Sequence, residues 1–548
     1  MKKYWTFFCC IAAAVTISSC GKDDGPDNTG GGDKPDDKPS QVEIKLEDGK
    51  DWCGLVSDID GNPVKGVTVS DGYACTVTDE NGVYQLKKGS GYAARINISL
   101  PAEYKVPIKD GLPYFWQDIV SGKTRYDFVL EPLDAPETDF YLFCLADPQC
   151  QNTTRHTKRF VNESVKDIKL NADKCRAGLP VYGITLGDIG YNTKSIDYNK
   201  SNNIFAVMKS GMAESKIGMP VFQVMGNHDN SVISSNTTYN EEGDIRMEEA
   251  FAAAFGPVNY SFNRGNAHIV AMDDIMATDP ESVYSCGFRN DQLEWLRQDL
   301  ANVPKDKILI LCVHIPLNSN TGKLNVLEVL KLCNEFAECH VMSGHTHRNI
   351  NMPKAASSVD IYEHTHGALC GAWWWSTVNT DGTPNGYGIY KVQGNHISDW
   401  KYKAVDKEED EQIRMYYGKL SYMDGKATQY RFASTGAGDI WANIWNWDSN
   451  WKVEVYEDGV KTGDMTRHYN STDARDAWAV GYHMGVVGRT SSTYDSKSVT
   501  HLFKYTLKDQ DCKNVEIRAT DRNGKVYTCN TFTLNTSAFY PMAPGDEY

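Results

Sequence analysis

Five strand-like apolar runs in this chain each end on a short polar segment, and that recurrence constrains the fold more than any other feature. The runs are Phe140–Ala146, Val181–Leu186, Val221–Met225, Ile308–Val313 and Val341–Met342. The segments that follow them are Asp147-Pro148-Gln149, Gly187-Asp188-Ile189-Gly190-Tyr191, Gly226-Asn227-His228-Asp229, His314, and Gly344-His345-Thr346-His347. Loops at the carboxyl ends of strands in an open α/β sheet are where ligands bind, so the spacing predicts that these segments converge on one crevice. Their oxygen and imidazole donors form a mixed set that suits two closely spaced divalent or trivalent ions. Such a pair of ions can clamp the attacking and leaving oxygens of a displacement at phosphorus.

Between the strand-like runs lie segments with helical character: Arg155–Ala177, Asn202–Ser215, Ile245–Phe255, Asp291–Asn302 and Lys323–Ala337. Asp291 is placed to cap the helix whose apolar positions are Leu293, Leu296 and Leu300. Strands alternating with helices predict a layered α/β unit over residues 136–400.

The flanks read differently. Residues 41–135 alternate apolar and polar positions around Val64 to Val69, with turn signals at Asp60-Gly61-Asn62-Pro63 and Glu80-Asn81-Gly82, which predicts a small β domain. Residues 401–548 are dense in Trp and Tyr and return to period-two alternation, as in Trp451-Lys452-Val453-Glu454-Val455-Tyr456, which predicts a second β-rich domain. A chain of 548 residues calls for more than one domain, and three fit here. The formal net charge of -16 argues against a nucleic-acid partner, because phosphate backbones are held by clustered Lys and Arg. A small phosphoester remains compatible, since metal ions supply positive charge locally.

The N-terminus carries an address. Lys2 and Lys3 precede an apolar stretch, Trp5–Ile17, too short for a comfortable membrane span. Residues 21–40 are mostly Gly, Asp, Pro and Lys, with Asn28, Thr29 and Ser40 and almost no apolar content, the composition of a disordered tether. Of the cysteines beyond this region, Cys512 with Cys529 is the best local candidate for a disulfide, and Cys53 with Cys75 and Cys333 with Cys339 are weaker ones.

The ordered set Asp-x-Gln, Gly-Asp, Gly-Asn-His-Asp, His and Gly-His-x-His resembles the signature of the calcineurin-like metallophosphoesterases. The resemblance implies a central four-layer sandwich, two packed sheets flanked by helices, within a multidomain chain. It implies Asp188 as the carboxylate shared by both ions, Asp147, Gln149 and His347 around the first, and Asn227, His314 and His345 around the second. It implies His228 as the group facing the leaving oxygen, with Asp229 holding its ring, and a metal-bound hydroxide as nucleophile. Cofactors would be two divalent or mixed-valence ions, with Mn, Fe and Zn all open, and the reaction the hydrolysis of a phosphomonoester or phosphodiester. Gln149 departs from the commoner His, so it either ligates through its amide oxygen or leaves one position to water. Gly187-Asp188-x-x-Tyr191 is similar to the purple acid phosphatase form of the motif, in which the Tyr binds iron; a pocket wall is the other reading of Tyr191.

Four further resemblances complete the sequence picture. Ile17-Ser18-Ser19-Cys20-Gly21 resembles a bacterial lipobox, which implies a signal over residues 1–20 and a lipid on Cys20. Gly21-Lys22-Asp23-Asp24 resembles the export tag of surface lipoproteins, which implies an outer-membrane protein facing outward; facing the periplasm is the alternative. Val56–Leu86 resembles the regulatory β-sandwich of carboxypeptidases, and the three parts together resemble a secreted class of calcineurin-like proteins. Cys370-Gly371-Ala372-Trp373-Trp374-Trp375 and His366 follow the last motif closely. If the three Trp lay on one strand they could not all face inward, so Trp373, Trp374 and His366 are candidate substrate contacts, for a sugar- or nucleotide-linked ester. The alternative from another class is a weakly active or non-catalytic glycan-binding surface lipoprotein.

Overall fold

The computed structural model describes residues 42–191, 204–230, 241–279, 283–354, 359–418, 435–469, 473–487 and 498–533. The signal, lipid site and tether expected over residues 1–40 lie outside them.

The central unit is built on two sheets. In the first, the strands Val221–Phe222, Val181–Thr185 and Asp139–Leu145 run parallel, and Gly386–Gln393 and His396–Ala404 extend the sheet antiparallel. In the second, Ala267–Ala271, Ile308–Cys312, Glu338–Ser343 and Tyr362–Thr365 run parallel, flanked by antiparallel Tyr260–Arg264 and Ile350–Met352. Alternation along each strand sorts its side chains between two environments. Phe140, Leu142 and Cys144 of the first sheet meet Ile308, Ile310 and Cys312 of the second in one buried layer. Phe222 and Phe262, from opposite sheets, stack with ring centroids 3.7 Å apart and planes within 6°.

The outer faces carry the helices. Phe143 and Leu145 pack against Phe160, Ile168, Ala172, Phe205 and Met208. Leu309, Leu311 and Val313 pack against Trp295, Leu296, Leu300, Val329 and Leu330. The result is the four-layer arrangement the motif order implied. The expected helix near Arg155–Ala177 is continuous over Thr154–Arg176, with a wider π-helical turn at Phe160–Val165. The helix around Leu296 begins at Asn290, so Asp291 lies in its first turn, and Gln292 Oε1 accepts from the Arg289 amide at 2.7 Å; the expected Asp291 cap is corrected.

The N-terminal module is a sandwich of a three-stranded and a four-stranded sheet. It does more than space the chain. Its core, including Trp52, Val56 and Ile98, is continuous with the layer between the two central sheets. Leu100 pairs with Phe262, the Asn263 amide donates to the Leu100 carbonyl at 2.8 Å, and Trp295 Nε1 donates to Ser70 Oγ at 3.1 Å. The module thus covers the Tyr260–Arg264 edge strand, which would otherwise offer unpaired backbone groups. The C-terminal module packs two four-stranded antiparallel sheets around Met415, Ala442, Val455 and Ile517. The cysteines proposed as pairs, Cys512 with Cys529 among them, are free thiols in this structure.

Because Phe262 joins the N-terminal module, the edge strand and the sheet-to-sheet stack, Phe262→Ala removes one ring from the most shared part of the core. The expected cost is about 3–5 kcal/mol, read as a lowered denaturation midpoint in urea.

Candidate metal centre

All the polar segments singled out above leave the carboxyl ends of parallel strands. Asp147 and Gln149 follow Asp139–Leu145, Asp188 follows Val181–Thr185, and Asn227 follows Val221–Phe222 in one sheet. His314 follows Ile308–Cys312, and His345 and His347 follow Glu338–Ser343 in the other. The parallel strands of both sheets therefore end on one edge of the sandwich, and these seven expected residues come together there.

The chain leaves those strands sharply. Asp147, Gln149, Asp188, His345 and His347 all have positive φ, at 48°, 39°, 52°, 66° and 52°. Non-glycine residues seldom take that conformation, and it costs energy that the surrounding packing must offset. Two glycines make the close approach possible. A Cβ at Gly226 would lie 2.1 Å from the Asp188 amide nitrogen, and one at Gly187, whose φ is +82°, would lie 2.4 Å from His314 Nδ1.

Asp188 is at the middle of the contacts. Its Oδ2 lies 3.3 Å from His314 Nε2 and accepts from Gln149 Nε2 at 2.6 Å; its Oδ1 accepts from the His228 amide at 2.7 Å. Asn227 Oδ1 is 3.0 Å from His314 Nε2 and 2.9 Å from His345 Nδ1. Asp147 accepts from the His345 amide at 2.9 Å and lies 3.3 Å from His347 Nε2. Donor atoms of Asp188, His314 and His345 all fall within 4.8 Å of one another.

These residues fit metal ions. Gln149 Oε1 and His347 Nδ1 are buried with no hydrogen-bond partner, although buried polar atoms are nearly always paired. Gln149 in particular spends its amide N–H on Asp188 and keeps its oxygen for something else, which is what ligation through oxygen requires. His314 donates from Nδ1 to the Leu186 carbonyl at 2.8 Å, which leaves Nε2 for the centre. Burial opposes charge on His314, but the adjacent Asp188 carboxylate pushes it up to about 10. Burial likewise opposes charge on Asp188, and the imidazoles of His314 and then His228 nonetheless hold it well below the usual carboxylate range. Burial and the charge on His314 push His345 down to about 4.

Several expectations are corrected here. Asp229 was expected to hold the His228 ring. Its hydrogen bonds run to backbone amides: Gly226 at 2.9 Å, Ile189 at 3.0 Å and Gly190 at 2.9 Å. It therefore staples the Asp188 loop to the Asn227 loop. Burial, then the charge of Asp188, push its carboxyl up to about 8. The ring of His228 stacks on Tyr191, centroids 5.0 Å apart and planes 28° apart, which makes Tyr191 a wall against that imidazole. His366 is no substrate contact. It is fully buried, donating from Nδ1 to the Ser343 carbonyl at 2.9 Å and accepting at Nε2 from the Tyr390 hydroxyl at 2.8 Å.

The Trp run is not on a strand but on a turn, with φ of 49° at Trp373 and 65° at Trp374. Trp374 is 0 % exposed and donates from Nε1 to the Pro148 carbonyl at 2.8 Å, so it pins the Asp147-Pro148-Gln149 loop from the core instead of touching substrate. Trp373 is half-buried beside His347, ring centroids 5.0 Å apart.

Three residues were not found by sequence reasoning. Asp274, buried after Ala267–Ala271, accepts from the amides of His314 at 3.2 Å and Ile315 at 2.9 Å. Glu363 accepts from the amides of Leu317 at 2.6 Å and Asn318 at 2.9 Å. Both fix the loop that carries His314, and burial pushes both carboxyls up to about 7. Tyr284, on the hairpin Ile275–Asp279/Val283–Cys286, sets its ring against His345 at 5.8 Å and 86°. Burial, then the charges of Asp188 and Asp147, raise its hydroxyl above the usual phenol range. An Asp-Asp pair after a strand was a visible signal for Asp274; Tyr284 had none.

A model of calcineurin-like phosphoesterase matches residues 168–349; models for the N terminal and the C terminal of calcineurin-like phosphoesterase match residues 51–133 and 363–527. Comparison with curated proteins finds no match. Among solved structures, PhoD is similar at 10% identity over 69% of this chain and 83% of that one, with a TM-score of 0.33. The purple acid phosphatase PPD1 from yellow lupin (Lupinus luteus) seeds is similar at 12% identity over 61% and 69%, TM-score 0.31. A putative 5'-nucleotidase from Staphylococcus aureus is similar at 10% identity over 71% and 89%, TM-score 0.31.

Because the Asp188 carboxylate favours the charged form of His314, whose lone pair a metal would need, metal uptake is expected to release a proton. His314 is pushed up to about 10, so apparent affinity should rise with pH across pH 6–9 and flatten above the histidine's own value. Calorimetric titration of the metal-free protein in buffers of different ionisation enthalpy measures both effects.

Proposed function

The chain belongs to the calcineurin-like phosphoesterases, with N-terminal, catalytic and C-terminal parts in that order, and from that premise we propose a two-metal hydrolase of small phosphoesters held at the bacterial outer membrane by a lipid on Cys20. Metal-dependent phosphoester hydrolysis is the activity of this family. The observation that carries the assignment of residues is the convergence of Asp188, His314 and His345 within 4.8 Å, beside a glutamine whose buried amide oxygen has no partner.

Asp147, Gln149 and His347 would hold one ion, Asn227, His314 and His345 the other, and Asp188 both. Bound there, the ions would acidify a water and offset charge on the phosphoryl oxygens. The chain's own residues do the rest. Asp229 fixes the Asp188 and Asn227 loops against each other through three backbone amides. Asp274 and Glu363 fix the His314 loop. His228 is positioned twice, by its amide on Asp188 and by its ring on Tyr191, and its imidazole delivers the proton to the departing oxygen. Gln149 supplies a neutral amide oxygen, so the first site favours harder ions than an all-histidine site would.

The anchor rests on residues 17–21, which lie outside the described residues. Among the described ones, no helix is long and apolar enough to cross a membrane. An outward-facing lipoprotein would meet small phosphoesters outside the cell.

Asp188→Ala should lose both bound metal and turnover, measured by elemental analysis with a chromogenic ester; near-normal turnover would overturn the two-metal assignment. His228→Ala should keep its metals and lose about 10²–10⁴-fold on an ester with a poor leaving group, and much less on one with a good leaving group. In cells, Cys20→Ala should fail to incorporate labelled fatty acid, and the wild type should lose its mature domain to protease added outside intact cells.

A further inference from the structure

Three half-exposed aromatic rings stand at the metal centre, each from a different segment and each against a different histidine. Tyr191 lies on His228, Tyr284 on His345 and Trp373 on His347, with ring centroids 5.0, 5.8 and 5.0 Å apart. Tyr191 leaves the first sheet, Tyr284 comes from the Ile275–Asp279/Val283–Cys286 hairpin, and Trp373 comes from the turn after Tyr362–Thr365. The neighbouring indole of Trp374 shows the contrast, since it goes into the core. Trp374 is 0 % exposed, whereas Tyr284 remains 37% exposed. Large rings left half in water at a polar crevice are surface kept for contact.

The backbone points the same way. The left-handed conformations at Trp373 and Trp374 are unfavourable for bulky residues. Together they turn one indole into the core, where it holds Pro148, and set the next against His347. Strain of this kind persists where a functional arrangement is being held.

We propose that Tyr191, Tyr284 and Trp373 form a collar that grips the group esterified to the phosphate, so that the protein selects phosphoesters whose alcohol carries a ring able to stack over those whose alcohol is a flexible alkyl chain. This rests on the phosphoesterase reading of the same site. A phosphate seated at Asp188 brings the atoms beyond its ester oxygen to the level of the histidines, where the three rings stand. Phenol and indole rings contribute broad contact at little cost in conformational entropy, having two side-chain torsions each. A nucleobase presents a π-face to them and a sugar ring its C–H face; an alkyl chain presents neither.

The test uses the full chain loaded with Mn²⁺ and four phosphonates that cannot be hydrolysed: phenylphosphonate, a nucleoside phosphonate, a hexose phosphonate and propylphosphonate. Calorimetry should give at least one ring-bearing ligand a Kd about tenfold or more below that of propylphosphonate, the scale of a single stacking contact. Comparison of the nucleoside and hexose arms tells which ring the collar takes. Tyr284→Leu and Trp373→Leu should each remove most of the ratio with bound metal retained, and Tyr284→Phe should keep it. Equal binding of ring and propyl ligands, or a ratio that survives both leucine variants, overturns the collar. Hydrolysis of simple esters without ring preference overturns the collar alone, whereas a metal-loaded protein that binds no phosphonate overturns the phosphoesterase reading together with it.

Discussion

The constraint on which this centre depends is the charge repulsion between two buried carboxylates, Asp188 and Asp229. Each is fully buried, and the charge of one raises the proton affinity of the other. In a medium of low dielectric such a pair is expensive unless each acid has its own compensation. The two compensations differ in kind. Asp188 faces imidazoles and the ligand-bearing crevice, and Asp229 is wrapped in the amides of Gly226, Ile189 and Gly190. That difference divides labour between neighbouring acids. One is turned toward the candidate metal crevice and the other is made into backbone architecture, where each amide it satisfies would otherwise cost about 1–3 kcal/mol.

Strain follows from the same requirement. To bring candidate ligands from two sheets onto one point, the chain turns through left-handed conformations at Asp147, Gln149, Asp188, His345 and His347. Such positions cost about 1–3 kcal/mol each, so the loops need outside support. Trp374 holds Pro148 from the core, Asp274 holds His314 and Ile315, and Glu363 holds Leu317 and Asn318. The four-layer sandwich supplies rigid strand ends, and these buried acceptors and donors fix the angle at which the chain departs from them.

The convergence of the candidate ligands was legible because it depends on local order. An apolar run followed by a short polar segment reads the same in sequence and in space, and Asp147, Asp188, Asn227, His314 and His345 all sit where that order places them. What could not be read depends on contacts across the fold. Asp229 looked like a partner for its neighbour His228, yet its hydrogen bonds reach back forty residues to Ile189 and Gly190. On one strand three consecutive Trp could not all face inward; core packing plus a turn was the other reading. They lie on a turn, where left-handed torsions at Trp373 and Trp374 decide the outcome. His366 looked like part of a pocket because it follows the last motif, but it ends a parallel strand whose inner face meets Tyr390. Tyr284 carried no signal, because only the folding of its hairpin sets it beside His345.

The C-terminal module supports the loop that carries His345 and His347 and is not an appendage. The chain leaves His347 toward Asn349, whose amide donates to Asp381 at 2.9 Å and whose side chain donates to the Trp445 carbonyl at 2.5 Å. Asp381 is in turn held by His501 at 3.1 Å, and His501 by Asn443 at 2.8 Å. Burial opposes charge on Asp381, and the hydrogen bond from His501 nonetheless holds its carboxyl below the usual range. Trp445, Asn443 and His501 all belong to the module. A ligand loop in left-handed torsion at His345 and His347 needs its exit fixed as firmly as its entry. The entry is fixed by the strand Glu338–Ser343, and the exit by residues about a hundred and more positions further along the chain. Two modules with separate hydrophobic cores are therefore joined where the metal loop needs a second point of support.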